Sequence, residues 1–236
     1  SPKTVFTVSK YKKLAIKAIK DISNRGKLPI ICGGTGLYID AVLYDWQIPE
    51  VPPQNKLREL LSKRSKEELF KMLSGLDQAR AATIDKNNKV RLVRALEIIL
   101  KTGEPVPQFK PFGGKNPLYE FVKIGIKITN DELKNRIHAR LFKRLKQGMI
   151  SEVRGLHRQG VSWKRLDSFG LEYRLVSRYL RGLTTREEMI KTLEKETWHL
   201  ARRQMTWFKR DKNTMWVDSQ EKAFLRMLFA MSIMTR

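Results

Sequence analysis

The chain has 236 residues, 41% of them hydrophobic, and carries 48 Lys and Arg against 24 Asp and Glu, for a net charge of +24. That is enough for one substantial core or a core with a smaller insert, and the charge calls for a polyanionic partner, nucleic acid first, because so large an excess otherwise costs stability by self-repulsion. A single cysteine, Cys32, rules out an intrachain disulfide and fits a reducing cytoplasm, and no run of about 18 apolar residues exists to span a membrane.

In chain order, residues 9–25 place Leu14, Ala18, Ile19 and Ile22 on one face with lysines opposite, which predicts an amphipathic helix ending at Gly26. "KLPIIC" reads as a buried strand and "GGTG", residues 33–36, as the turn into a helix carrying Leu37 to Leu43. Helix, strand, glycine turn and helix make an α/β rhythm that favours a parallel sheet. "QIPEVPP" at 47–53 breaks the rhythm and leads into a charged, strandless stretch, read as an inserted helical module over 47–86. The expected division is a core over 1–46, the insert, and a mostly helical continuation of the core over 87–236.

The segment "NNKVRLVRALEIILKTG" predicts a helix with Val93, Leu96 and Leu100 on its apolar side, stopped by Gly103. "EPVPQFKPFGGKNP" is a loop with too few apolar residues for a core. "FVKIGIKIT" alternates Val122, Ile124, Ile126 and Ile128 against Lys123, Gly125, Lys127 and Thr129, a period-two strand. Thr129 and Glu132 then have capping-box spacing, opening a helix with Leu133, Ile137, Leu141 and Leu145 four apart. Further helices are predicted over 150–159, 171–181 and 186–209, a short strand at 215–218, and a C-terminal helix packed on the body.

Several stretches bear on function. Arg136, Arg140 and Arg144 line one helical face; their planar forks suit phosphate oxygens, although a solvated basic face explains them equally well. "WHLARRQMTWFKR", residues 198–210, interleaves aromatic, basic and amide groups. Arg202 and Arg203 suit backbone phosphates and Gln204 has the paired donor and acceptor that read an adenine edge. Trp207 either stacks on a base or fills core, core being the commoner fate. His138, His157, His199 and Cys32 lack zinc-ligand spacing, and neither a serine nucleophile elbow nor a phosphate-binding P-loop is found.

Taken in order, four motifs resemble the tRNA dimethylallyltransferases, the bacterial-type tRNA isopentenyltransferases: "LPIICGGTGLYIDAVL", "KVRLVRALEIILKTGEPVP", "NRIHARLFKRLKQGMISEVRGL" and "ARRQMTW". The resemblance runs from about Phe6 to Asp218. It implies a P-loop NTPase-like parallel sheet with a helical insertion that grips the anticodon stem. It also implies transfer of a dimethylallyl group from dimethylallyl diphosphate to N6 of the adenosine 3′ of the anticodon (position 37), with Mg2+ as cofactor, by a cytoplasmic protein expected to be monomeric. A non-catalytic RNA-binding protein is the alternative.

By the same resemblance, Thr35 contacts the substrate nucleotide, and Gly33, Gly34 and Gly36 let the backbone approach the tRNA and the prenyl group; a plain tight turn is the other reading. Arg140, Arg136 and Arg174 are expected to stabilise the leaving diphosphate. Arg58, Arg91, Arg94, Arg202 and Arg203 are expected on tRNA phosphates, with Gln204 on the adenine and Trp207 supporting it. Three departures stand out. Glu172-Tyr173-Arg174 occupies the place of a Gly-Tyr-basic triplet, and Thr197-Trp198 that of Thr-Arg. The family's phosphate loop and the following Asp, taken as general base and a source of magnesium ligands, lie upstream of Ser1. The expectation is therefore an N-terminally truncated chain, the alternative being a diverged one that lost catalysis, with its activity alone left to measurement.

Overall fold

A computed structural model describes residue 2 and residues 4–107, 118–218, 221, 222 and 225. Most of the expected C-terminal helix and the glycine-containing part of the 104–117 loop lie outside them. The chain divides into two compact units, one made of residues 7–31 and 37–117, the other of residues 1–6, 32–36 and 118–236. Among the described residues no helix is long and apolar enough to cross a membrane.

The first unit is helical. Helix α1 (Val8–Asn24) starts where the Thr7 hydroxyl accepts from the Lys10 amide, and α2 (Gly36–Leu43) follows the glycine turn. The inward side of α1 differs from expectation: Leu14 is 51% exposed and Ala18 is exposed, while Tyr11, Lys12, Ala15, Ile16, Ile19 and Ile22 are half-buried. Lys12 turns in because Asp45, 2.7 Å away, and the Trp46 carbonyl, 2.9 Å away, receive its ammonium.

After the proline break come α3 (Asn55–Ser62), α4 (Lys66–Leu76), α5 (Gln78–Thr83) and α6 (Lys89–Thr102). Ser65 and Glu68 form a reciprocal capping box on α4, and Gly103, at φ 75°, ends α6 in the left-handed conformation that glycine takes without strain. Leu61, Leu69, Leu73, Ala81, Leu92, Ala95, Leu96 and Ile99 form one core, each large member contributing about 1.5–3 kcal/mol by burial. Helix α6 belongs to this core, so the helical module runs past residue 86, where the sequence reading ended it. Its inward face is Leu92, Ala95, Leu96 and Ile99; Leu100, assigned to that face from the sequence, is 48% exposed.

The second unit holds the only strands among the described residues, β1 (Ile124–Ile126) and β2 (Met215–Val217), which pair in parallel. Around them lie α7 (Asn130–Lys146), α8 (Met149–Arg158), α9 (Trp163–Asp167), α10 (Leu171–Leu180) and α11 (Arg186–Phe208). Thr129 caps α7 by accepting from the Glu132 amide, as the spacing requires. Leu141, Met149, Val153, Val161, Leu166, Leu175, Val176, Met189 and Leu193 make its core. The α/β class with parallel strands holds, with two differences. "KLPIIC" forms no strand: its Leu28 and Ile30 are 41% and 63% exposed, and no described strand lies beside it to take up its hydrogen bonds. Around β1 the alternation does not set a single inward face: Lys123 is buried and Val122, Ile126 and Lys127 are exposed, while Ile124 and Ile128 are half-buried, and Lys123 turns in to meet the buried Asp211 at 2.9 Å.

An ion cluster ties α6 to the proline segment. The Glu97 carboxylate is fully buried; it accepts from the Gln54 amide at 2.6 Å, from Arg58 at 2.7 Å through both oxygens, and from Arg94, which also reaches the Val51 carbonyl. Burial alone would raise its pKa, but the hydrogen bonds from Arg58, the Gln54 amide and Arg94 outweigh it and hold the pKa at about 2, against 4.5 for a free glutamate. The stability tied to this ionisation is complete above about pH 4.5 and is lost as the pH falls through about 2, a span worth about 3 kcal/mol. Urea unfolding of the wild type should show that acid-side loss. Glu97→Gln should flatten it and lower stability at pH 7 by about 2–4 kcal/mol, because two arginines lose their counter-ion.

Candidate active site

The glycine turn and helix α11 meet within the second unit. A Cβ built on Gly34 would lie 2.6 Å from Nε2 and 2.8 Å from Oε1 of Gln204, and one on Gly36 would collide with the indole of Trp207. Only glycine fits at either position without displacing these side chains. Gly33 is different: a Cβ there would meet nothing within 4 Å. The space beside Gly34 and Gly36, expected to admit substrate, is thus filled by the protein's own Gln204 and Trp207. Gly33 and the exposed Thr35 remain open to solvent.

Trp207 is half-buried, with the Arg210 guanidinium 5.4 Å from its ring centroid. The end of α11 is fixed just beyond. Asp211 is buried against Lys123, whose ammonium lies 5.4 Å from the Phe208 ring centroid, and the Met215 amide donates to the Lys123 carbonyl at 2.8 Å. A Cβ on Gly125 would come 2.7 Å from the Trp216 ring, so β1 and β2 are also pressed together at a glycine. Sheet, helix end, indole and turn form one contiguous series of contacts.

The basic groups separate by whether a carboxylate holds them. On α7, Arg136 pairs with Glu132 one turn back, and Arg144 reaches Glu172 of α10 at 3.1 Å. Arg140 between them and Arg174 on α10 are exposed and form no ion pair with a described residue. Tyr173, next to Arg174, donates to Glu152 of α8 at 2.5 Å, and that carboxylate pushes the phenol pKa up. These two links brace the start of α10 against α7 and α8. Arg202 and Arg203 are exposed on α11, again without an ion pair. Arg58 and Arg94 differ in that both donate to the buried Glu97 carboxylate. Arg91, on α6, is exposed.

Sequence reasoning missed Glu97, the Lys123–Asp211 pair and the Glu152–Tyr173 bond. A signal existed for Glu97, an acid three residues after Arg94 inside an apolar run. Among the described residues no three His, Cys, Asp or Glu side chains converge to hold a metal ion.

Comparison with known proteins bears directly on this arrangement. The family described as IPP transferase matches residues 1–211. The tRNA dimethylallyltransferase 2 of Trichlorobacter lovleyi is 39% identical over 219 residues, covering 91% of this chain and 70% of that protein. The tRNA dimethylallyltransferase of Acetivibrio thermocellus is 34% identical over 226 residues, covering 94% and 72%. Among solved structures, the tRNA isopentenylpyrophosphate transferase of Bacillus halodurans matches with a TM-score of 0.64 at 31% identity, over 98% of this chain and 75% of that one. Fold, motif order and identity agree, and the chain belongs to the IPP transferase family.

Proposed function

We propose that this chain transfers the dimethylallyl group of dimethylallyl diphosphate to N6 of the adenosine 3′ of the anticodon in tRNA, acting as a cytoplasmic monomer. The observation that carries the reading is the contact of the glycine turn with Gln204 and Trp207: two motifs from distant parts of the sequence share one place in a chain of the IPP transferase family. Relatives named tRNA dimethylallyltransferase favour transfer over mere RNA binding.

In the reaction the N6 lone pair attacks C1 of the dimethylallyl group. The C1–O bond breaks, the diphosphate leaves with the bonding electrons, and the N6 proton passes to water. Negative charge grows on the departing oxygens, and preformed cations there lower the barrier. Arg140 and Arg174 fill that role, since no carboxylate competes for them; Arg136 must first give up Glu132. Thr35 and Gly33 form the wall against the target nucleoside, with Gln204 and Trp207 holding that wall in place. Arg91, Arg202 and Arg203 take RNA phosphates.

The test is mass spectrometry of the anticodon-loop fragment after unmodified tRNA is incubated with the protein, magnesium and dimethylallyl diphosphate. One isoprenoid unit gained on that adenosine is the expected result; tRNA bound without any gain overturns transfer in favour of the RNA-binding alternative. Arg140→Ala should lower kcat by about 100-fold with little change in tRNA affinity. The glycines provide a second check. Gly33→Val should leave Tm unchanged and reduce kcat/KM for tRNA at least about tenfold, because its side chain projects into open space that substrate needs. Gly36→Ala should lower Tm, because Trp207 must move.

A further inference from the structure

Helix α10 starts without a capping side chain: Gly170 precedes it, and no side chain caps its first amides. Arg174 lies in that first turn, its amide donating to the Gly170 carbonyl at 3.1 Å. A helix start of this kind frays unless tertiary contacts hold it. Two side chains of the same turn provide them. Tyr173 sets its ring edge-on to Phe169, with centroids 5.6 Å apart, and donates its hydroxyl to Glu152 of α8. Glu172 accepts from Arg144 of α7 at 3.1 Å.

The Glu172 bond has a particular place. Arg140 and Arg174, the two guanidiniums assigned to the leaving diphosphate, stand on different helices, α7 and α10. Among the described residues no other ion pair or side-chain hydrogen bond joins these two helices. Arg140 precedes Arg144 by one helical turn, and Glu172 shares its turn with Arg174, so one bond ties together the stretches that carry both cations. Its partners are 31% and 32% exposed, which shields the pair in part from water and salt. Cations lower a barrier when their geometry is set before the reaction, and a misplacement of about 1 Å costs about 100-fold. The family pattern has glycine where this chain has Glu172, and glycine offers Arg144 no side chain, so the bond comes with this chain's departure from that pattern.

We propose that Glu172 is a positioning residue: through its bond to Arg144 it fixes the first turn of α10 against α7 and so sets Arg174 for the leaving diphosphate. This deepens the proposed function and rests on its reading of Arg174 as a diphosphate ligand. The sign of one measurement separates positioning from plain charge. Removing a carboxylate near an anion site tightens anion binding by electrostatics alone, but loosens it where that carboxylate holds a cation in place.

The test compares Glu172→Ala, Arg174→Ala, the two together and the wild type, each as the whole chain. Calorimetry with inorganic diphosphate and prenyl-transfer kinetics are the readouts. Glu172→Ala should weaken diphosphate binding and lower kcat, each about tenfold, with KM for tRNA unchanged and Tm lower by no more than about 2 °C. Added to Arg174→Ala, it should cost less than about twofold more, because it acts through Arg174. Exchanging the charges, with Arg144→Glu and Glu172→Arg in one chain, should restore most of the loss. Diphosphate bound as well or more tightly by Glu172→Ala overturns the proposal, and so do losses that add in full to those of Arg174→Ala. A lower Tm with kcat unchanged overturns it as well, leaving Glu172 a structural brace. Diphosphate binding that depends on both Glu172 and Arg174 without prenyl transfer would keep the positioning role and reject the transferase reading. Transfer that depends on Arg174 but not on Glu172 would do the reverse.

Discussion

Two absent side chains hold the candidate site together. The glycine turn carries nothing at positions 34 and 36, and Gln204 and Trp207 occupy the vacated space. At Gly36 this contact is steric and close to all-or-none, because an indole cannot share volume with a methyl group, whereas at Gly34 it involves the flexible end of Gln204. It gives the turn a fixed seat that its own short backbone could not provide. The seat is only as firm as α11, whose end is pinned by the Lys123–Asp211 pair and by the pairing of β1 with β2. Thr35 is thus placed by a buried ion pair that it never touches.

A second constraint comes from charge. With twice as many basic as acidic side chains, carboxylates are scarce, and where they are spent decides which cations stay available. Two of them, Glu97 and Asp211, are fully enclosed. Each faces cations that would otherwise read as surface groups suited to nucleic acid. Others sit between helices: Glu172 holds Arg144, and Glu152 takes the Tyr173 hydroxyl. Of the arginines that the sequence singled out on α7, α10 and α11, Arg140, Arg174, Arg202 and Arg203 remain without an ion pair, and that subset is better defined than the net charge.

Much of the fold was legible in the sequence because local chemistry announces it. Thr129 with Glu132 marked the start of α7 and Gly103 marked the end of α6, since caps are satisfied within a few residues of themselves. The α/β class and the order of the motifs were equally readable. Direction was not. Alternation in "FVKIGIKIT" shows that two faces exist, but which face turns inward depends on Asp211, far along the chain. The same holds for α1, where Lys12 goes in and Leu14 goes out because Asp45 is the nearer claim. "KLPIIC" has strand composition, yet a strand exists only with a neighbour to bond. At the site, the glycines and the R-Q-x-T-W segment were identified, whereas their mutual contact was not, because no single-sequence pattern encodes which side chain fills a glycine's gap.

The arginines show why composition alone overstates an RNA-binding surface. Arg94 and Arg91 lie three residues apart on one helix, and both read from the sequence as phosphate ligands. Arg94 finds Glu97 within its own helix and Val51 beyond it, so RNA would have to break a buried network worth several kcal/mol to recruit it. Arg91 is exposed and forms no ion pair with a described residue, so engaging a phosphate would cost it no existing bond. Affinity for a polyanion is set by this difference in the free protein. A cation already satisfied contributes to folding; one left unpaired is available for binding.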